Sequence, residues 1–411
     1  MNVFSLTGLI ALIGVGVMIV SYFIQKPQNW LGAYVRYFLG AYLVFSGVVK
    51  AIDPFGTAIK MGEYFVIFTE YSPSFLENFW LFWAELAFPI SVFMIVLEIA
   101  LGISVILGTF KWPTLWIYTG LIIFFTFLTG FSSTTGKVTD CGCFGDFVKL
   151  APHESFFKDI FLIVVLGLLF FFHKSIVPWF KNSINIGLLG LLTVGSLWFS
   201  MSNYWDLPVV DFRAYHVGTN IDEGTKDGKD GKYETMYTLV NQAGETKVVE
   251  SKAYVDDGWW QKKEWTLDKE KTTSKEIIPA KLPTIKDFII ITEDGEEIQD
   301  SILNISGFQF FVAAYSVEKS DKSDFPQINK ILKGAKALGI PITGLTASPV
   351  KEANKYTDGV YKFNNLDAVP IKTMIRGNPG VVLIKDDIII DKWHADHIDS
   401  WEVMKATHNI K

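Results

Sequence analysis

Cysteine and charge are the two things this sequence lacks. Among 411 residues there are two cysteines, and only 19% of residues are charged. Two cysteines are too few for a disulfide-stapled small scaffold, or for an iron–sulfur cluster held by four thiolates of one chain. Water-soluble domains carry about 25% charged residues, so the shortage argues against a chain that is soluble throughout. The net charge is −6 and no basic stripe is visible, which argues against nucleic-acid binding. No phosphate loop, dinucleotide fingerprint or catalytic-triad pattern occurs. The composition is neither collagen-like nor that of a disordered chain. Apolar residues are abundant instead: 50% of the chain is hydrophobic and Phe occurs 34 times. An integral membrane protein is the class this composition favours.

The shortage of charge is confined to one half. Residues 1–204 hold ten Lys and Arg and ten Asp and Glu, whereas residues 205–411 carry 27 and 33 and so the whole net charge. The change falls near Trp205-Asp206-Leu207-Pro208. No internal repeat is evident, and the nearest approach to low complexity is the Gly/Asp/Lys-rich stretch 224–232. A membrane domain over 1–204 is therefore expected to precede a water-soluble half long enough for its own core.

A membrane span needs about 20 mostly apolar residues. Six segments qualify, over roughly 2–24, 31–51, 79–108, 113–131, 156–173 and 184–203. The first lacks a basic leader and a small-x-small cleavage site, and reads as a retained helix. Lys26, Arg36, Lys111, Lys174 and Lys181 flank the loops after spans one, three and five, with no acid among them. The other loops are mixed, with Asp53, Lys60, Glu63, Glu70 and Glu77, then Lys137, Asp140, Asp146, Lys149 and Glu154. The Lys/Arg bias marks the first set as cytoplasmic and puts both termini and the soluble half outside. Arg36, Lys50, Glu85 and Glu98 lie near or inside spans, where an ionised group needs a partner or a polar cavity. Depth suggests Lys50 with Glu85 and Arg36 with Glu98. Such pairs tie helices together; alternatively Glu98 lines a proton or quinone path.

Both cysteines sit in Thr139-Asp-Cys-Gly-Cys-Phe-Gly-Asp146, in the expected outer loop between spans four and five. Cysteines two apart reach disulfide distance only where the chain bends, and Gly142 and Gly145 permit a bend. So short a loop contributes little entropic stabilisation, whereas exposed or strained bridges are the exchangeable ones. Cys141 and Cys143 thus point to redox exchange more than to stapling. Two inert thiols remain an alternative. A metal site is disfavoured, because structural zinc wants four ligands and only His153 is near.

The membrane half resembles a known group. Arg36-Tyr-Phe-Leu-Gly40, Phe45-Ser-Gly47 and Lys50-Ala-Ile-Asp-Pro-Phe-Gly56 resemble the opening helix of DoxX-type proteins, and Glu98-Ile-Ala-Leu-Gly102 with Leu107-Gly108 resembles their second. Asp140-Cys-Gly-Cys-Phe-Gly145, followed by Lys158-Asp159, resembles MauE, the methylamine-utilisation branch. The resemblance covers about residues 31–175 and implies a four-helix core in spans two to five, with spans one and six as additions. It implies extracytoplasmic thiol–disulfide chemistry: MauE-like proteins are linked to disulfide formation in a partner enzyme, DoxX-like ones more loosely to quinone-dependent redox metabolism.

Residues 205–283 read as β-rich, with strands over 233–240, 245–254 and 259–267 and turns at Asn241–Gly244 and Asp256–Gly258. Trp259-Trp260 reads as a core or cross-strand pair, or as a binding surface. From 284 onward strands and helices alternate: strand 288–292, turn at Glu293–Gly295, strand 308–315, helix 325–338, strand 340–346, short helix 352–356, hairpin 381–385 and 388–393, helix 397–404. This order fits a two-layer α/β domain. It resembles a thioredoxin fold of the peroxiredoxin or TlpA kind, with the β-rich stretch as an insertion or extension. Asn378-Pro379-Gly380 stands where that family keeps its cis-proline. The family's Cys-x-x-Cys would fall on Ser316-Val-Glu-Lys319, and this half has no cysteine at all. Such a domain can hold a chain beside Tyr315, Ser316 and Pro379 but cannot itself exchange disulfides.

These readings converge on a polytopic bacterial inner-membrane protein with a soluble thioredoxin-like domain. Its expected role is a disulfide-forming relay: Cys141 and Cys143 exchange with a periplasmic or envelope client, and electrons leave to a quinone near Glu98 and Arg36. The competing reading is a non-enzymatic membrane scaffold whose degenerate domain binds an envelope partner. A small-solute transporter is disfavoured, because in-span polar residues are too few to outline a pathway.

Overall fold

The structure is a computed structural model that describes residues 2–138, 142–229, 231–278 and 281–411. The chain divides into two compact units, Met1–Arg213 and Ala214–Lys411.

The first unit is all helix: α1 (Val3–Ile24), α2 (Trp30–Ile52), α3 (Pro54–Tyr71), α4 (Glu77–Glu85), α5 (Ala87–Leu107), α6 (Lys111–Thr135), α7 (Pro152–Phe171) and α8 (Asn182–Trp205). Five of them, α1, α2, α5, α6 and α8, are long and apolar enough to cross a membrane. The expected span over 156–173 is α7, which has the length but carries Glu154, Lys158 and Asp159. Helices α2, α5, α6 and α7 supply a shared core around Leu39, Leu101, Leu115 and Leu166, with α1 leaning on α2 and α8 on α5. α1 and α8 turn most of their apolar surface outward, whereas α2 is mostly buried.

Two features depart from the expected spans. The segment 79–108 is not one helix but two, broken at Leu86. Pro89 explains the break: it has no N–H to donate to the Glu85 carbonyl, and its ring would clash there. The stretch read as a mixed loop after span two is the helix α3. Asp53 caps it, accepting from the Gly56 amide at 2.9 Å, and Pro54 occupies its first turn. Pro54, Ala58, Met61, Tyr64 and Phe68 form its buried stripe, at a spacing of three and four.

The second unit is α/β. A five-stranded sheet has the order β6-β5-β4-β7-β8, built from β4 (Phe308–Ala314), β5 (Ile342–Thr346), β6 (Lys362–Asn365), β7 (Gly380–Lys385) and β8 (Ile388–His394). β4, β5 and β6 run parallel, while β7 and β8 are antiparallel to their neighbours. The central β4 is fully buried from Gln309 to Ala314. α12 (Asp324–Ala337) makes the crossover from β4 to β5, and with α15 (Trp401–His408) it covers one face through Phe325, Leu332 and Met404. Asp386 and Asp387 turn the β7–β8 hairpin with φ of 49° and 64°, the geometry a two-residue primed turn needs. Short helices α11 (Gln299–Leu303), α13 (Val350–Ala353) and α14 (Ala368–Met374) complete the unit. The expected strand 288–292 is reduced to single bridges from Ile291 to Glu297 and Asn365.

The stretch expected as β-rich is an excursion from this unit. Before it, residues 218–221 pair with the edge of β8, and α9 (Ile221–Lys226) follows. The chain leaves at Lys229 and returns at Lys281, where the two backbones exchange hydrogen bonds of 2.7 and 2.8 Å. Between them lies a three-stranded antiparallel sheet, β2-β1-β3, of β1 (Lys232–Asn241), β2 (Thr246–Glu250) and β3 (Trp265–Ile278). The second expected strand stops at Glu250 and gives way to α10 (Ser251–Asp256), and Trp259–Gln261 is a 3-10 turn. Trp259 packs edge-on against Trp265, with Lys262 over its ring at 3.5 Å, while Trp260 is exposed.

Candidate functional site

Cys143 lies in the loop between α6 and α7; Cys141 lies outside the described residues. The loop turns at Gly142 and Gly145, whose φ values of 64° and 50° L side chains rarely adopt. Gly145 donates its amide to the Gly142 carbonyl at 3.1 Å. Between them, Phe144 points into the bundle and is 1% exposed. Its ring meets Tyr42 edge-on at 5.8 Å, and the Lys158 ammonium lies 5.2 Å from its centroid. Ser46 donates its hydroxyl to the Cys143 carbonyl at 3.2 Å. Phe144 and Ser46 thus pin the cysteine loop against α2 and α7.

Beneath the loop is a cavity of about 60 Å³, which Cys143 and Gly142 line together with residues of α2, α3, α5, α6 and α7. Two buried ion pairs form part of its wall. Lys50 donates to Glu98 Oε1 at 2.5 Å, and Lys158 meets Asp159 Oδ1 at 3.0 Å. Asp159 Oδ2 also accepts from Thr129 at 2.9 Å. All four charged side chains are at most 6% exposed. Ionised groups so far from water persist only when paired and hydrogen-bonded. Lys50 further lies over the Phe125 ring at 4.5 Å. Among the buried polar atoms of this wall, the Tyr118 hydroxyl and Glu98 Oε2 have no hydrogen-bond partner among the described residues. A cavity of this size has room for a few waters.

The depth-based pairing is corrected here. Lys50 pairs with Glu98, and Glu85 stands exposed at the end of α4. Arg36 does not meet Glu98: its Nε, Nη2 and Nη1 donate to the carbonyls of Val105, Ile106 and Ser175 at 2.8, 2.7 and 2.9 Å. The cause is the antiparallel register of α2 on α5. Gly40 lies against Gly102 and Ile106, and Gly47 against Ile95 and Ile99, so Arg36 falls at the C-terminal end of α5. Glu98 therefore belongs to the cysteine cavity and Arg36 to the opposite end of the bundle. Lys158 and Asp159, noted in sequence only as part of a motif, turn out to face the same cavity. Phe144 was not singled out in sequence, although an aromatic between two glycines is a signal for an anchor.

In the soluble unit, Tyr315 and Ser316 follow the C-terminal end of β4, and the Asn378–Pro379 peptide is cis. The structure brings these residues together. Ser316 donates its amide to Asn378 Oδ1 at 3.3 Å, and Asn378 Nδ2 donates to the Ser316 carbonyl at 2.8 Å. The Lys372 ammonium lies 5.2 Å from the Tyr315 ring centroid. Partial burial, and then neighbouring Lys319 and Arg376, lower the Lys372 pKa. No cluster of His, Cys, Asp and Glu that could hold a metal ion occurs among the described residues.

Residues 28–172 match the family model of the methylamine utilisation protein MauE. The matched stretch runs from the turn before α2 to the end of α7, so this part of the membrane unit is MauE-like. α1, α8 and the soluble unit lie outside the match. No curated protein and no solved structure matches the chain.

Proposed function

We propose that the membrane unit exchanges disulfides with an extracytoplasmic client through Cys141 and Cys143. The observation that carries this reading is the position of Cys143, pinned by Phe144 over a cavity whose wall holds two buried ion pairs. A client thiolate attacks the Cys141–Cys143 disulfide and forms a mixed disulfide; the client's second thiolate then releases it. The client is oxidised, and the pair takes up two electrons and two protons. Reoxidation returns both to an acceptor, for which a quinone is the proposed class. A quinone, when bound, supplies a sink for two electrons and two protons. Glu98, in the wall of the cavity below the cysteine loop, can carry a proton between the pair and that acceptor.

Sidedness follows from the ends of the bundle. Lys26, Arg36, Lys111, Lys174 and Lys181 flank the helix ends opposite the cysteine loop, and this Lys/Arg bias favours a cytoplasmic placement of that end. α8 ends beside the cysteine-loop end, where Asn203 donates to the Ala51 carbonyl at 3.3 Å. This supports a periplasmic loop and soluble unit in a bacterial inner membrane.

For residues 284–411 a thioredoxin-like fold is the reading favoured. Support comes from the strand order and from the cis Asn378–Pro379 peptide facing Ser316. With Ser316-Val-Glu-Lys319 in place of a Cys-x-x-Cys, the unit would dock a client beside Tyr315 and Pro379 and leave exchange to the membrane cysteines.

The test is complementation of a deletion strain by the Cys141→Ser/Cys143→Ser double variant. The expected result is thiols accumulating in extracytoplasmic proteins, as in the deletion strain itself. Disulfide content restored by the variant would remove the exchange reading and favour a scaffold that only binds an envelope partner.

A further inference from the structure

The opposite end of the membrane unit holds a second, larger cavity of about 400 Å³. Its wall includes Lys26 after α1, Asn29 capping α2, Arg36 of α2, and Lys174 and Ser175 after α7. Three of its lining residues are cations, and no acid lines it among the described residues. Arg36 is the unusual member: its side chain is buried, with the residue 2% exposed. Three carbonyls accept from it, but no carboxylate pairs with it among the described residues. The end of α5 contributes only about half an elementary charge of helix dipole. A buried cation without a counter-ion is costly, and two exposed lysines beside it raise the local potential further. The cavity lies at the helix ends of the bundle, with exposed Trp30, Trp112 and Phe171 near the same ends. Aromatic side chains of this kind mark the headgroup region.

We infer that this cavity binds a phosphoryl anion, the headgroup of an anionic phospholipid or a free phosphate, with Arg36 at its base and Lys26 and Lys174 at its mouth. Arg36 supplies the N–H groups its three carbonyl acceptors leave over, a planar set suited to phosphate oxygens. The lysines add charge from flexible stems. Cationic pockets between helices on the cytoplasmic side are the physical pattern for anionic headgroups. Occupancy would neutralise Arg36 and tie the ends of α1, α2, α5 and α7 together. The inference does not depend on the cysteines.

The experiment uses the full chain, purified and delipidated in detergent, and reads its thermal unfolding midpoint. Phosphatidylglycerol, phosphatidylcholine and inorganic phosphate are added in separate arms. Phosphatidylglycerol is expected to raise the midpoint by about 5 °C, and phosphatidylcholine by much less. In the Lys26→Gln/Lys174→Gln variant, which changes only exposed side chains, the gain should fall to half or below. An equal gain from inorganic phosphate would support the anion site and identify free phosphate as its occupant. Equal gains from both lipids with no response to phosphate, or an unchanged gain in the double variant, would overturn the proposal.

Discussion

Glu98 and Lys50 pose the sharpest question at the level of single residues. Replacing Glu98 by Gln leaves the Lys50 ammonium buried without a counter-charge, and should lower stability by about 3 kcal/mol. The double variant Lys50→Met/Glu98→Leu removes both charges and should recover most of that loss. Thermal unfolding in detergent checks both. The same double variant separates tying from proton transfer. If the pair only holds helices, disulfide exchange survives in it; if Glu98 carries protons for the cysteine pair, exchange falls while stability is restored. The sequence identified Glu98, Lys50 and Arg36 as residues needing partners, because charge inside a span is rare and costly. It did not identify which partner, since depth alone leaves the helix-to-helix register open. Gly40 and Gly102 set that register through a backbone contact that no charge pattern encodes.

At the level of elements, the same glycines carry a prediction. A methyl group on Gly102 would stand 2.7 Å from the Gly40 carbonyl oxygen and 2.9 Å from the Val44 amide nitrogen, both backbone atoms that cannot turn aside. Gly102→Ala should therefore push α5 off α2 and lower stability by about 1–3 kcal/mol. Gly190→Ala in α8, where nothing lies within 4 Å, should be neutral or slightly stabilising. Unfolding midpoints of the two variants, compared in one detergent, decide it. A second prediction concerns the start of α12. Partial burial, and then Asp396 and Asp321, push the Asp324 carboxyl up to about 6. Because this lies above the ordinary value of about 4, the folded unit binds more protons than the unfolded chain between those pH values. Its stability should rise as pH falls from about 6 to about 4, and Asp324→Asn should flatten that rise. Amide exchange at Ile328 and Leu332, followed across this window, reports it.

Elements differ in how plainly the sequence announces them. The long apolar helices, β4, α12 and the β7–β8 hairpin follow from hydrophobic period and turn chemistry. α3 escaped because its charged residues outweighed its buried stripe and its Asp-Pro cap. The break before α5 escaped because one Pro near a helix start does little to mean hydropathy. β6 and α14 are short and sit between stronger signals.

Across the whole molecule, the division of labour follows the chemistry of the residues. Both cysteines are in the MauE-like part, and the soluble unit, whose sheet brings Ser316 to a cis proline, has none. Composition alone made the membrane half legible, and its charge drop marked the boundary to within about ten residues of Arg213. The cavity under Cys143 was not legible, because it is assembled by five helices whose contacts are distant in sequence. The central claim is testable at the cysteines themselves. The direct measurement is mass-resolved alkylation of Cys141 and Cys143 in membranes holding the full chain, before and after addition of a reduced dithiol peptide. The pair should begin unreactive as a disulfide, become doubly alkylated after the peptide, and return to the disulfide when respiration is restored. A pair whose alkylation never changes with peptide or respiration would contradict the exchange reading.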